Sequence, residues 1–274
     1  MKSSYYNRLK LNCQSKKSHL CIGLDFDLDK MINKSVNDLS SLESFIKDVI
    51  DCTYDVCAVY KPNFAFYEKY GPSGMSLLEN IVSHIDKRSL VIADAKRGDI
   101  GNTSASYAQS IFEYYDFDAI TIAPYMGSDS IKPFISNPEK GVYLLCLTSN
   151  PSAMDFQYKL SDNSYLYEDV AKLALSLNNY QNLGLVVGAT KQDQMKKIRE
   201  IAPSLTWLIP GIGAQGGNLE ESVATSNSGS GSGIINVSRS IIYAKNQTLD
   251  DIRSAAVDYN NNINKYLSYW WIKF

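Results

Sequence analysis

SLVIADAKRGDIGNT, residues 89–103, sets the pattern for the whole chain. Leu90 to Ala93 are continuously apolar, and the run then gives way to Asp94, Lys96 and Asp99. A strand that is apolar at every position is covered on both faces, as in a parallel sheet flanked by helices, and its polar residues gather at its C-terminal end. Seven other runs share this form: HLCIGLD (19–25), CAVYKPN (57–63), AITIAPY (119–125), VYLLCLTS (142–149), LGLVVGA (183–189), TWLIPGIG (206–213) and GIINVSRS (233–240). Between them lie segments with apolar residues three or four apart, including LESFIKDVIDCTYD (42–55), SLLENIVSHID (76–86), SASYAQSIFEYYD (104–116), YLYEDVAKLALSLNNY (165–180) and KQDQMKKIREIA (191–202). That spacing lines one helical face with apolar groups. Ser40 and Glu43 are spaced as a capping box for the first of these helices.

Eight strand-then-helix units in 274 residues predict an α/β fold, a (β/α)8 TIM barrel forming a single domain. An open doubly wound sheet is the alternative, because periodicity does not show closure. Residues 1–18 are expected to form an N-terminal arm under the barrel. SNSGSGSG (226–233) reads as a flexible surface connection into the last strand, and LSYWWIKF (267–274) is expected to pack on the outside.

Composition narrows the chemistry. With 27 Lys+Arg against 29 Asp+Glu the net charge is −2, so no global field attracts nucleic acid or anionic lipid, and any phosphate must be held by local arrangement. Apolar runs fall far short of the roughly 18 residues a membrane span requires, and the basic N-terminus has no apolar secretory core, so the cytoplasm is the expected location. Five cysteines (Cys13, Cys21, Cys52, Cys57, Cys146) form no Cys-x-x-Cys pair, and His19 and His84 are far apart, which leaves little material for a metal site or a histidine triad. Catalytic groups are therefore sought among Lys and Asp.

The active site of such a barrel lies at the C-terminal ends of its strands. Those ends carry Asp25, then Lys61 and Asn63, then Asp94, Lys96 and Asp99, and, on the fifth strand, Thr148 and Ser149. Asp94 and Lys96 are two apart on a strand, so they point to one face; with Lys61 and Asp99 they make an alternating array whose members set one another's ionisation. Ordinary salt bridges capping strand ends are the alternative for any one residue, but four charges at neighbouring strand ends favour a site. PGIGAQGG (210–217), with Gln215, and VSRS (237–240), with Ser238 and Arg239, form the loops after strands seven and eight, where backbone N–H groups and a guanidinium can cradle phosphate. SNPSAMDF (149–156) reads either as a lid over the ligand or as a surface loop.

DAKRGDIGNT fits an Asp-x-Lys-x-x-Asp-Ile-x-x-Thr signature at Asp94, Lys96, Asp99, Ile100 and Thr103, and GLD, KPN, TSNPSA, GIGAQGG and the late SR pair support it. In these motifs the chain resembles the orotidine 5′-monophosphate decarboxylases, and KPNFAFYE and GAQGG look most like their longer subgroup. The resemblance implies that Lys96 donates a proton to C6 of orotidylate, with Lys61, Asp94 and Asp99 as charged partners and no cofactor or metal. It implies that Asp25, Lys61, Asn63 and Thr103 hold the ribose and adjoining atoms, that Ser149 with Thr148 reads the pyrimidine, and that Gln215, Ser238 and Arg239 grip the phosphate. It also implies a homodimer in which Asp99 and Thr103 enter the neighbouring subunit's site. The Ser/Gly tract departs from the family pattern. Rival readings are a related barrel acting on a sugar phosphate with magnesium, a Schiff-base aldolase using Lys61 or Lys96, and a non-catalytic sensor of a phosphate ligand; a mere binder has little use for so many costly charges.

Overall fold

The structure, a computed structural model of the chain, describes residues 3–271, with side chains through Leu267. In chain order its elements are α1 (Tyr5–Lys16), β1 (Leu20–Gly23), α2 (Leu39–Thr53), β2 (Val59–Lys61), α3 (Ala65–Glu68), α4 (Gly71–Ile85), β3 (Leu90–Arg97), α5 (Gly101–Gln109), β4 (Ala119–Ile122), α6 (Ser128–Ile135) and β5 (Gly141–Leu147). A small hairpin, β6 (Leu160–Ser161) and β7 (Ser164–Tyr165), precedes α7 (Leu166–Leu177). The chain continues through β8 (Leu183–Val187), α8 (Gln192–Ile201), β9 (Trp207–Ile209), α9 (Leu219–Ser226), β10 (Gly233–Val237), α10 (Arg239–Ile242) and α11 (Leu249–Trp271).

Eight parallel strands close in the order β1-β2-β3-β4-β5-β8-β9-β10, and β10 returns to β1 with Leu20 opposite Ile235. This is the (β/α)8 barrel, and closure rules out the open doubly wound sheet. All eight apolar runs became its strands. Their side chains divide between two cores. Leu20, Ile22, Tyr60, Val91 and Leu144 are among those that pack with the helices outside, while Cys21, Val59, Ile92, Tyr143 and Val186 belong to a second cluster that Tyr5, Leu9 and Cys13 of α1 join. The Tyr5 and Tyr143 hydroxyls lie 3.1 Å apart. A Cβ on Gly141 would sit 2.4 Å from the Tyr5 ring, so a side chain there would force that ring to shift. Burial pushes the Cys13 and Cys57 thiols up to about 12, which makes them packing groups rather than nucleophiles.

One local expectation is corrected. The capping box of α2 is Asp38 with Ser41, not Ser40 with Glu43: Asp38 Oδ1 accepts the Ser41 N–H at 2.8 Å and Ser41 Oγ accepts the Asp38 N–H at 3.1 Å. Glu43 instead pairs with Lys47 at 2.6 Å, one turn on. The stretch 226–233 is anchored at both ends. Ser226 and Gly233 are buried, and the buried Arg199 guanidinium donates to the carbonyls of Thr225, Ser226, Ala202, Pro203 and Leu205 while lying 3.9 Å from the Trp207 ring centroid. The expected packing of residues 268–274 lies outside the described side chains. None of the described helices is long and apolar enough to cross a membrane.

Candidate active site

A cavity of about 300 Å³ opens at the C-terminal end of the barrel. Asp25, Lys61, Asn63 and Asp94 line it from the ends of β1, β2 and β3. Gly211, Gln215, Ser238 and Arg239 line it from the loops after β9 and β10. A second cavity, about 350 Å³, lies at the other end between α1 and the start of β10; its walls are mainly apolar and hold no cluster of charges.

Asp94 is the hub of the charged array. Lys61 Nζ donates to its Oδ2 at 2.8 Å, Lys96 Nζ to its Oδ1 at 2.7 Å, and Thr121 Oγ1 to the same Oδ1 at 3.0 Å. The Lys61 and Asp94 side chains are 4% and 11% exposed and line the cavity, whereas Lys96 is 48% exposed and reaches the array through Asp94 without lining the cavity itself. Burial alone would raise Asp94, but Lys61 and then Lys96 overcome it and hold the carboxyl well below the usual carboxylate range. Burial alone would lower Lys61, but Asp94 and Asp25 overcome it and raise the ammonium above its ordinary value. The pair is therefore fully ionised across the physiological range.

Lys96 does not owe its position to simple strand alternation. The β3–β4 register slips between Ala93 and Arg97, with four steps on β3 matching two on β4, and Lys96 adopts φ 47°. That left-handed conformation costs an ordinary residue about 1–2 kcal/mol. Its backbone N–H is taken by Thr121 Oγ1 at 3.1 Å instead of a strand carbonyl. The bulge lies where the Lys96 ammonium meets Asp94 Oδ1, and bulges next to reactive sites re-aim a side chain in this way. Thr121, embedded in an apolar run, was missed as a supporting residue; a hydroxyl on a strand otherwise apolar from Ala119 to Ile122 was its signal.

The other candidates divide. Asp25 Oδ1 accepts the Asn63 backbone N–H at 3.2 Å, joining the ends of β1 and β2. Ser149 Oγ donates to Gln215 Oε1 at 2.7 Å, linking the loop after β5 to the glycine loop. Thr148 Oγ1 is engaged with Asn150 and Gln157, both at 2.7 Å, so it anchors its own loop and does not face the cavity freely. That loop contains a short 3-10 turn, Pro151–Asp155, with Met154 and Phe156 exposed. Asp99 is not brought into the array within one chain: its carboxylate accepts the Ile100 N–H at 2.8 Å, and Thr103 is exposed on α5. The four-membered array predicted from sequence is thus three-membered in a single subunit.

On the phosphate side, Gly213 has φ 79°, and a Cβ there would come within 2.4 Å of Ser240 Oγ. Gly23 must also be bare, since its Cβ would lie 1.8 Å from Ser238 Oγ. Arg239 is exposed and has no hydrogen-bond or ion-pair partner among the described residues, so its guanidinium is available to an anion. Lys30, Asn236 and Tyr243 also line this cavity and were not singled out from sequence, because none ends a recognisable motif.

Residues 18–250 match the orotidine 5′-phosphate decarboxylase / HUMPS family. The orotidine 5′-phosphate decarboxylase of Porphyromonas gingivalis is 45% identical over 235 residues, covering 84% of this chain and 85% of that one. The enzyme of the same name from Dehalococcoides mccartyi is 42% identical over 96% of this chain and 98% of its own. The solved structure of the Leishmania donovani OMP decarboxylase superposes with a TM-score of 0.85 at 36% identity, covering 96% and 98% of the two chains. With the barrel closed, Lys61, Asp94 and Lys96 joined at its C-terminal rim and relatives matching most of the chain, the chain belongs to the orotidine 5′-phosphate decarboxylase / HUMPS family.

Proposed function

We propose that this protein is an orotidine 5′-phosphate decarboxylase, a carboxy-lyase that converts orotidine 5′-monophosphate to UMP and CO2 in pyrimidine biosynthesis. The observation that carries the reading is the Lys61–Asp94–Lys96 array, with a largely buried, doubly paired carboxylate and a half-exposed ammonium on it. When the C6–CO2 bond breaks, its electron pair stays on C6, a ring carbon with no ready π sink. Fixed positive charge stabilises that carbanion, and Lys96 Nζ transfers a proton to C6 to give UMP. Asp94 keeps the ammonium aimed and lies beside the departing carboxylate.

Asp25, Lys61 and Asn63 hold the ribose, Ser149 reads the pyrimidine edge with support from Thr148, and Gln215, Ser238 and Arg239 bind the phosphate. The 149–156 loop serves as the lid. Asp99 and Thr103 complete the site of a second copy in a homodimer. The exposed apolar residues Ile100, Tyr125 and Met126 on the loops after β3 and β4 support this. The enzyme acts in the cytoplasm and uses no cofactor, since the array itself supplies both charge and proton. The test follows the ultraviolet absorbance of orotidine 5′-monophosphate with purified protein in EDTA. Rapid conversion to UMP is expected; an unchanged spectrum from folded protein rejects the assignment.

A further inference from the structure

We propose that Lys30 is a second phosphate-binding cation in the cavity that Arg239 also lines. The inference rests on the decarboxylase reading and extends its substrate contacts to the long connection between β1 and β2. Lys30 ends a short 3-10 turn, Leu28–Lys30, and lines the same cavity as Arg239, Ser238 and Gln215. Its ammonium is exposed and has no ion-pair or hydrogen-bond partner among the described residues. The nearby carboxylate of Asp27 is taken by Lys69 at 2.6 Å, and Asp29 does not line the cavity.

The backbone that presents Lys30 is held firmly although the side chain is free. Gln247 Nε2 donates to the Lys30 carbonyl at 3.0 Å, and Gln247 Oε1 accepts the Ile32 N–H at 3.0 Å. Tyr243, which follows α10 directly, accepts the Asp27 N–H at 2.8 Å and donates to the Asp25 carbonyl at 3.3 Å through its hydroxyl. The loop carrying Lys30 and the turn carrying Arg239 are thereby tied together, so two cations without an ion-pair partner among the described residues line one cavity from separate elements. Such a pair suits a dianionic phosphomonoester better than a neutral nucleoside or a monoanion.

The test compares Lys30→Met and Lys30→Arg with the unaltered protein. Steady-state kinetics are run on orotidine 5′-monophosphate and on phosphate-free orotidine, and calorimetry measures UMP and uridine binding. Lys30 is exposed, so neither change threatens folding. Lys30→Met is expected to raise KM for the phosphorylated substrate and weaken UMP binding by roughly tenfold, to leave orotidine turnover and uridine binding unchanged, and to be rescued by Lys30→Arg. Equal losses with phosphorylated and phosphate-free ligands, or no loss with either, overturn the proposal. If the unaltered protein fails to decarboxylate at all, the decarboxylase reading fails, and the UMP-against-uridine comparison still decides the role of Lys30.

Discussion

Replacing Asp94 with Asn removes the anion from between two ammonium groups while preserving size and hydrogen-bonding shape. Lys96 can turn to water because its side chain is 48% exposed, but Lys61 is only 4% exposed and keeps a buried charge without its main partner. Breaking a buried pair from one side costs about 3–5 kcal/mol. Asp25, which also raises Lys61, remains, so the lower end of about 3 kcal/mol applies. For a chain of this size that is a fall in Tm of about 6 °C. Lys61→Met, which removes the buried cation and leaves Asp94 paired to Lys96 and Thr121, is expected to cost clearly less. The assay is thermal unfolding followed by circular dichroism, with the three proteins side by side. Asp94 is depressed in the folded state, so its contribution is present above its unfolded pKa of about 3.9 and is lost as pH falls below that through the folded value. The Tm difference between Asp94→Asn and the unaltered protein is therefore expected to persist at pH 5–8 and to shrink toward pH 2. An Asp94→Asn protein within about 2 °C of the original at pH 7, or destabilised less than Lys61→Met, would refute the view that Lys61 depends on Asp94 for its buried charge.

Lys96→Ala is expected to bind UMP but to lower kcat by about a hundredfold or more, measured by orotidylate absorbance; near-normal turnover removes Lys96 from the proton-transfer step. Because Lys96 sits at φ 47°, Lys96→Gly is expected to be more stable than Lys96→Ala by about 1 kcal/mol in urea titration, with both inactive; a stability order reversed from this contradicts strain at the bulge. Gly23→Ala places a methyl where Ser238 Oγ stands, and a raised KM for orotidine 5′-monophosphate with a preserved fold is the anticipated readout. Arg199→Met strips a donor from five carbonyls, four of them in buried hydrogen bonds, and is expected to lower stability by about 3 kcal/mol or more, seen as an earlier urea midpoint; an unchanged midpoint shows that those carbonyls find other partners.

The amino-acid sequence by itself determined the eight barrel strands, because each is a short run whose apolar stretch and polar end are neighbours along the chain and report burial on both faces directly. It also determined that Lys61, Asp94 and Lys96 share one mouth, since each ends a strand and all strands of a parallel barrel end on one rim. Tertiary structure alone decided how they meet. The bulge at Lys96 depends on the register with β4 and on Thr121, so strand periodicity suggested the right face for an incomplete reason. Asp99 has the right sequence position for the array, but at the turn into α5 its carboxylate accepts the backbone N–H of Ile100. The cap of α2 went to Asp38 because side-chain geometry chose among several polar residues of equal promise. Lys30 reached the cavity because Gln247 and Tyr243, from the far end of the chain, hold its loop in place. Burial and strand ends are written locally in a sequence; the partner of a charge, the slip of a strand and the reach of a loop depend on residues that only folding brings together.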